Sequence, residues 1–247
     1  MSDEPASVAA GIQRVRWHGF AEAGSLFADA LRRVLSAAEA AIAARGSYHL
    51  VLAGGDTPRA LYRSLRDADT KWSAWHFYFG DERCVPREDA RRNSRMAEEA
   101  WLGHVPIRDA QLHIIPAELG THRAAAAYAQ TLQDVGDFDL VLLGLGDDGH
   151  TASLFPHHDW GTAPGSSDTL AVLDAPKPPP ERVSLSAARL SRAREVLFMV
   201  AGQPKRHAVM RWHAGAGIPA RSISPLAGVD VLVERALLHA GFRGTPL

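Results

Sequence analysis

The stretch "FDLVLLGLGDDGHTASLFP", residues 138–156, decides how this chain is read. Its first half is almost wholly apolar, without the alternation of a half-exposed strand. A continuous short run of this kind suits a strand buried on both faces, as parallel sheets require. Its second half turns to glycine, acid and histidine. The spacing Gly144-x-Gly146-x-x-Gly149 is that of a dinucleotide-binding loop. Asp174, closing "TLAVLDA", stands at about the distance of a ribose-binding acid.

The residues inside the loop argue for chemistry instead. Asp147 and Asp148 would repel a pyrophosphate, and Pro156 cuts any following helix to little more than a turn. The loop also falls late in the chain, whereas a dinucleotide loop opens the first strand–helix unit. Histidine, with an unperturbed pKa of about 6.5, takes and returns protons near neutrality. His150 is therefore the candidate base, and Asp148 can orient its ring and stabilise its charged form. His157 and His158 lie nearby, but no His-x-x-x-His or similar ligand spacing appears, so no metal is expected.

Outward from this stretch the same grammar repeats. Residues 47–55, 75–82 and 194–202 are further apolar runs, each ending in glycine and polar residues. Residues 21–45, 93–102, 121–135 and 204–215 carry helical periodicity between them. This alternation predicts an α/β fold: an open, mostly parallel sheet with helices on both faces. Residues 156–168 read as an irregular loop and 175–185 as a stiff extended connection, and neither marks a domain boundary. One domain over residues 1–247 is the expectation. In such folds ligands bind beyond the carboxyl ends of the strands. The loops "AGGDTP", "GDERCVP", "GLGDDGH" and "AGQPK" would converge there.

Composition limits the rest. With 46% hydrophobic and 22% charged residues, the chain can build a sizeable core. A formal net charge of -1 disfavours nucleic acid or an anionic membrane as partner, so an anion must meet a local positive site. The single cysteine, Cys84, excludes an intramolecular disulfide and fits a reducing compartment. As a nucleophile it has no supporting arrangement. The start "MSDEPASVAAGIQRVRW" lacks the apolar core of an export signal, and no run approaches a membrane span. A cytoplasmic protein is expected. The oligomeric state is left open, with a monomer favoured.

Gly54 and Gly55 end a strand, and Thr57-Pro58 read as the N-cap and first residue of a helix. Free amides and the helix dipole favour an anion there. Without the Gly-Lys-Ser/Thr of a nucleotide loop, a phosphomonoester is the better candidate. Asp81, Glu82 and Arg83 follow a fully apolar strand. Lys205, one of only three lysines, sits at a helix start, where it opposes the dipole unless an anion compensates. Arg182, in "ERVSLS", offers a second positive group, and both carry solvated surface readings as well.

Taken in order, "LAGGDTP", "FGDERCVP", "LGLGDDGHTASLFP", "RVSL" and "AGQPK" resemble the 6-phosphogluconolactonases, over about residues 13 to 235. The resemblance implies the fold of the sugar-phosphate isomerase/deaminase superfamily. It also implies hydrolysis of 6-phosphoglucono-δ-lactone, a small sugar phosphate lactone, in the oxidative pentose phosphate pathway, without cofactor. It makes His150 the general base, with Asp148 and Arg83 beside it. Gly54, Gly55, Asp56, Thr57 and Asp81 become substrate-binding, with Arg182 and Lys205 as cationic partners of the phosphate. Two departures stand out: Ala53 and Asp56 replace the usual serines of the phosphate loop, and Asn93-Ser94 inverts the usual Ser-Asn. Asp56 is expected to point away from the anion and to cap the following helix. Glucosamine-6-phosphate deaminases share the glycine loop and Asp-Gly-His. They carry Asp-Glu-Tyr where Arg83 stands and a glutamate within the segment that here reads Ser153-Leu154-Phe155-Pro156. A non-catalytic sugar-phosphate sensor would need the phosphate loop but not His150.

Overall fold

The computed structural model describes residues 13–163 and 165–238. The start read above as lacking an export signal lies largely outside these, as do both ends of the single-domain span. Among the described residues, no helix is long and apolar enough to cross a membrane.

Strand β6 (Phe138–Gly144) is buried along nearly its whole length and lies at the centre of the main sheet. Around it stand β1 (Val15–Phe20), β2 (Tyr48–Leu52), β3 (Trp75–Phe79), β5 (Leu112–His113), β9 (Ala193–Val200) and β10 (Val229–Glu234). The order is β1-β10-β9-β6-β2-β3-β5, and every pairing is parallel. The carboxyl ends therefore share one rim. β1 and β10 were not foreseen. β1 is an edge strand whose polar residues Arg16 and His18 reach Asp230 on β10, which breaks up its apolar signal.

The helix α1 (Ala23–Arg45) buries Leu26, Ala30, Val34, Ala37, Ala38 and Ala41 along one stripe. Small alanines let the helix lie close on the strands. Gly46, at φ 81°, ends it by donating its N–H to Ile42. The other helices are α2 (Asp56–Ser64), α3 (Asn93–Ala100), α4 (Thr121–Thr131), α5 (Ala187–Ser191) and α6 (Arg206–His213). α3, α4 and α6 are each shorter than their sequence periods predict.

One expected strand splits in two. The run 75–82 leaves the main sheet at Gly80, whose N–H still donates to Leu52 O (3.0 Å) while its own carbonyl accepts from Leu185 N (2.8 Å). Beyond it, β4 (Asp81–Arg83) pairs antiparallel with β8 (Arg182–Leu185), which pairs with β7 (Thr169–Val172). The "extended connection" at 175–185 thus ends in a buried strand of a second, three-stranded sheet. That sheet carries β4 and β8 over the rim, and with them Arg83 and Arg182.

Candidate active site

Two tyrosines hold the rim in shape. The Tyr62 hydroxyl from α2 accepts from Ala53 N and donates to Ala53 O, both at 2.9 Å, where β2 ends. Tyr128 from α4 does the same for Phe79 at the end of β3 (2.9 and 3.3 Å). Each satisfies backbone groups that lose their sheet partners as the strands part. Neither was legible as a site element, because a buried tyrosine in a helix reads as core.

Gly55, at φ 103°, is the N-cap of α2, so the helix begins at Asp56 rather than after Thr57. The N-cap expected at Thr57 is corrected: glycine's freedom at positive φ starts the helix early. The amides of Asp56 and Thr57 find no protein acceptor among the described residues, and Gly55 O receives the first helical bond, from Arg59 N at 3.2 Å. The Asp56 carboxylate makes no capping bond and is 97% exposed, 3.6 Å from Arg59. It does point outward, but from a first-turn position it cannot cap.

In the loop after β6, Gly146 N donates to His150 O (2.7 Å) and Gly149 N to Gly146 O (3.1 Å). These amides are spent inside the loop, and no helix follows, only a turn closed by a Thr151–Leu154 bridge. Both facts remove the dinucleotide reading. Asp174 instead meets His158 Nε2 at 3.0 Å, and His158 Nδ1 meets Pro156 O at 3.0 Å, which leaves that ring without a free nitrogen.

His150 Nδ1 lies 2.5 Å from Asp148 Oδ1, which also accepts from His150 N at 3.0 Å. Burial pushes the Asp148 carboxyl up, but the hydrogen bonds from the His150 ring and backbone outweigh it. They hold Asp148 well below the usual carboxylate range. An ionised Asp148 keeps the proton of a neutral imidazole on Nδ1 and leaves the Nε2 lone pair for a ligand. The ring rests against Phe155, centroids 4.8 Å apart. An added Cβ at Gly146 would stand 2.0 Å from His150 Nδ1, so glycine here makes room for the pair.

Asp147, Asp148 and His150 place ligand-type atoms within 4.8 Å of one another. Asp147 is already paired with Lys177, and that hydrogen bond lowers its pKa.

Asp81 is buried, accepting from Asn93 Nδ2 (3.0 Å) and Ser153 Oγ (2.5 Å). Glu82, fully buried, binds the amides of Arg83, Asn93 and Ser94 at 2.7–2.8 Å and the Arg92 guanidinium at 3.4 Å. It anchors the start of α3, where a carboxylate meets the helix dipole favourably. Arg83 donates to Arg91 O and leaves its buried Nε without a partner. Arg182 faces Arg83 directly across the β4–β8 pair. It donates to the carbonyls of Pro179 (3.0 Å) and Lys177 (2.9 Å). Burial lowers the pKa of Arg182, and the neighbouring Arg83 adds to this. Lys205 ends a short turn before α6, half-buried, with no hydrogen-bond partner among the described residues; burial lowers its pKa. Cys84 is held protonated: burial, Glu181 and Glu82 push its thiol up to about 11. That excludes a ready thiolate nucleophile.

A cavity of about 380 Å³ brings these parts together. Every residue named above as catalytic or substrate-binding lines it except Asp148, which stands behind His150. Its volume falls within the usual range for small-molecule sites.

The profile described as glucosamine-6-phosphate isomerases/6-phosphogluconolactonase matches residues 21–232. A 6-phosphogluconolactonase from Mycobacterium tuberculosis is 39% identical over 211 residues, which cover 80% of this chain and 85% of that protein. The chain belongs to the 6-phosphogluconolactonase family. A Synechocystis member is 38% identical over 208 residues, covering 79% of this chain and 85% of that one. The solved 6-phosphogluconolactonase of Trypanosoma brucei superposes with a TM-score of 0.79 at 28% identity, covering 91% of this chain and 98% of that one. A monomeric glucosamine-6-phosphate deaminase, at 19% identity and a TM-score of 0.76, shares the fold. The all-parallel sheet with its helices is thus the family's, and the glycine loops sit on its active rim.

Proposed function

We propose that the chain hydrolyses 6-phosphoglucono-δ-lactone to 6-phosphogluconate in the oxidative pentose phosphate pathway, with His150 as general base. The observation that carries this reading is the 2.5 Å His150–Asp148 contact at the wall of a cavity lined by Arg83, Arg182 and Lys205. Two arginines directly opposite each other repel, and the repulsion is relieved when an anion lies against them.

The phosphate sits against the free amides at the start of α2, with Lys205 and Arg182 as its cations. This places the lactone ring toward His150. Nε2 removes a proton from water as the water oxygen attacks the lactone carbonyl carbon. The tetrahedral oxyanion is stabilised by Arg83 and loop amides. The ring C–O bond then breaks, and the imidazolium returns its proton to the ring oxygen. Asp148 stays ionised throughout and stabilises the imidazolium between the two transfers. Each step is closed by this chain's own groups, with no covalent intermediate. A cytoplasmic location belongs to the same reading, with the lone Cys84 in support.

The test is proton release from freshly made 6-phosphoglucono-δ-lactone by purified protein, set beside glucono-δ-lactone and beside ammonium release from glucosamine 6-phosphate. Acceleration confined mainly to the phosphorylated lactone is expected. A ligand-induced thermal shift without turnover would make the chain a sensor, and ammonium release would make it a deaminase.

A further inference from the structure

The proposed reaction gives Asp81 no chemical step, yet its carboxylate is buried at the junction of the site's two halves. One oxygen accepts from Asn93 Nδ2 (3.0 Å), which also donates to Asp81 O (2.9 Å). The Asn93 Oδ1 in turn lies against Gly54, so closely that an added Cβ there would stand 2.0 Å away. The other carboxylate oxygen accepts from Ser153 Oγ at 2.5 Å. Ser153 stands three residues beyond His150, on the turn that Leu154 N closes onto Thr151 O at 3.0 Å. Its own N–H is held by Ser184 Oγ at 3.2 Å, on β8. A continuous, water-free chain of contacts thus runs from the phosphate loop through Asn93, Asp81 and Ser153 to the loop that carries His150.

We propose that Asp81, Asn93 and Ser153 are positioning residues that fix the distance between the phosphate loop and His150. They match that distance to the separation of phosphate and lactone carbonyl in the substrate. The proposal rests on the lactonase reading above. Phosphate binding far from the reacting carbon raises the rate only if the carbonyl is held at reacting distance from the base. Loops at the ends of separate strands do not hold such a distance by themselves. A buried carboxylate bonded to both sides does, because any relative movement would strand a desolvated charge.

Ser153→Ala is the informative variant, because Ser153 touches Asp81 but does not line the cavity. Asn93→Ala is the second, should the first fold poorly. Each is measured for kcat on 6-phosphoglucono-δ-lactone, for Kd of 6-phosphogluconate by calorimetry, and for the acid limb of the pH–rate profile. The expected result is a kcat lower by about tenfold, with Kd within about threefold and the limb unmoved. A kcat within about threefold of wild type overturns the proposal. So does a Kd that weakens in step with kcat, which is the mark of a substrate contact or of general loosening. Wild-type protein without turnover would instead remove the lactonase reading itself, and this inference with it.

Discussion

The loops that follow β2 and β6 both leave the sheet through paired glycines, and they use glycine for opposite reasons. Gly55 is needed for its backbone: at φ 103° it has nothing within 4 Å of an added Cβ. It turns the chain so that α2 presents unpaired amides to the cavity. Gly146 is needed for its emptiness, since the space a Cβ would take belongs to His150 and Asp148. Its loop spends its amides on itself and offers a side-chain pair instead. One loop binds and the other reacts. A glycine spacing read as a pattern cannot tell these apart; the charges beside it can, since Asp147 and Asp148 already disqualify the second loop as an anion cradle.

The comparison breaks most visibly at Gly146. Gly146→Ala should drive the imidazole off Asp148 and lower kcat by about 10²-fold or more. The Kd for 6-phosphogluconate should stay within several-fold, because the phosphate loop is untouched. Steady-state kinetics with calorimetry would show a failure as kcat and Kd moving together. Lys205→Ala should do the reverse. Loss of one charge-assisted contact weakens 6-phosphogluconate by about 1.5–3 kcal/mol, while kcat at saturation changes little. Equal affinities in calorimetry would make Lys205 a merely solvated residue.

Gly55→Ala sharpens the conformational half of the contrast. A side chain forced to hold that backbone costs about 1–3 kcal/mol, read as a lowered midpoint in chemical denaturation. An unchanged midpoint would show that the loop relaxes. The smallest effect belongs to Asp56. Exposed and 3.6 Å from Arg59, its carboxylate offers neither a cap nor a strong ion pair. Asp56→Ala and Asp56→Ser should shift stability by less than about 0.5 kcal/mol and leave KM unchanged or slightly lower. A tenfold rise in KM would mean that the carboxylate holds substrate.

How much of this the sequence revealed follows from where each signal is local. Strands β2, β3, β6 and β9 stand out as apolar runs because both of their faces are buried, and their polar loops converge as expected. The second sheet joins segments about a hundred residues apart, 81–83 with 182–185, through strands of three or four residues. Such pairing leaves no periodic trace, so "RVSL" read as a connection. Among the site residues, Arg83, His150, Arg182 and Lys205 were legible by charge and by position after a strand. The partners of Asp81 were not: Ser153 lies 72 residues away in sequence. Nor was the first-turn position of Asp56, which depended on where Gly55 began the helix.

The account's central claim is that His150, oriented by Asp148, is the base that activates water. Its most direct test is kcat for 6-phosphoglucono-δ-lactone across pH in wild type and in His150→Ala, with Kd for 6-phosphogluconate measured in parallel. Wild-type activity should fall on acidification, because a protonated imidazole cannot accept a proton. The variant should lose that limb and about 10²-fold or more of kcat while binding 6-phosphogluconate within several-fold of wild type. A His150→Ala protein that keeps more than about a third of wild-type kcat, far above that general-base expectation, would contradict the claim.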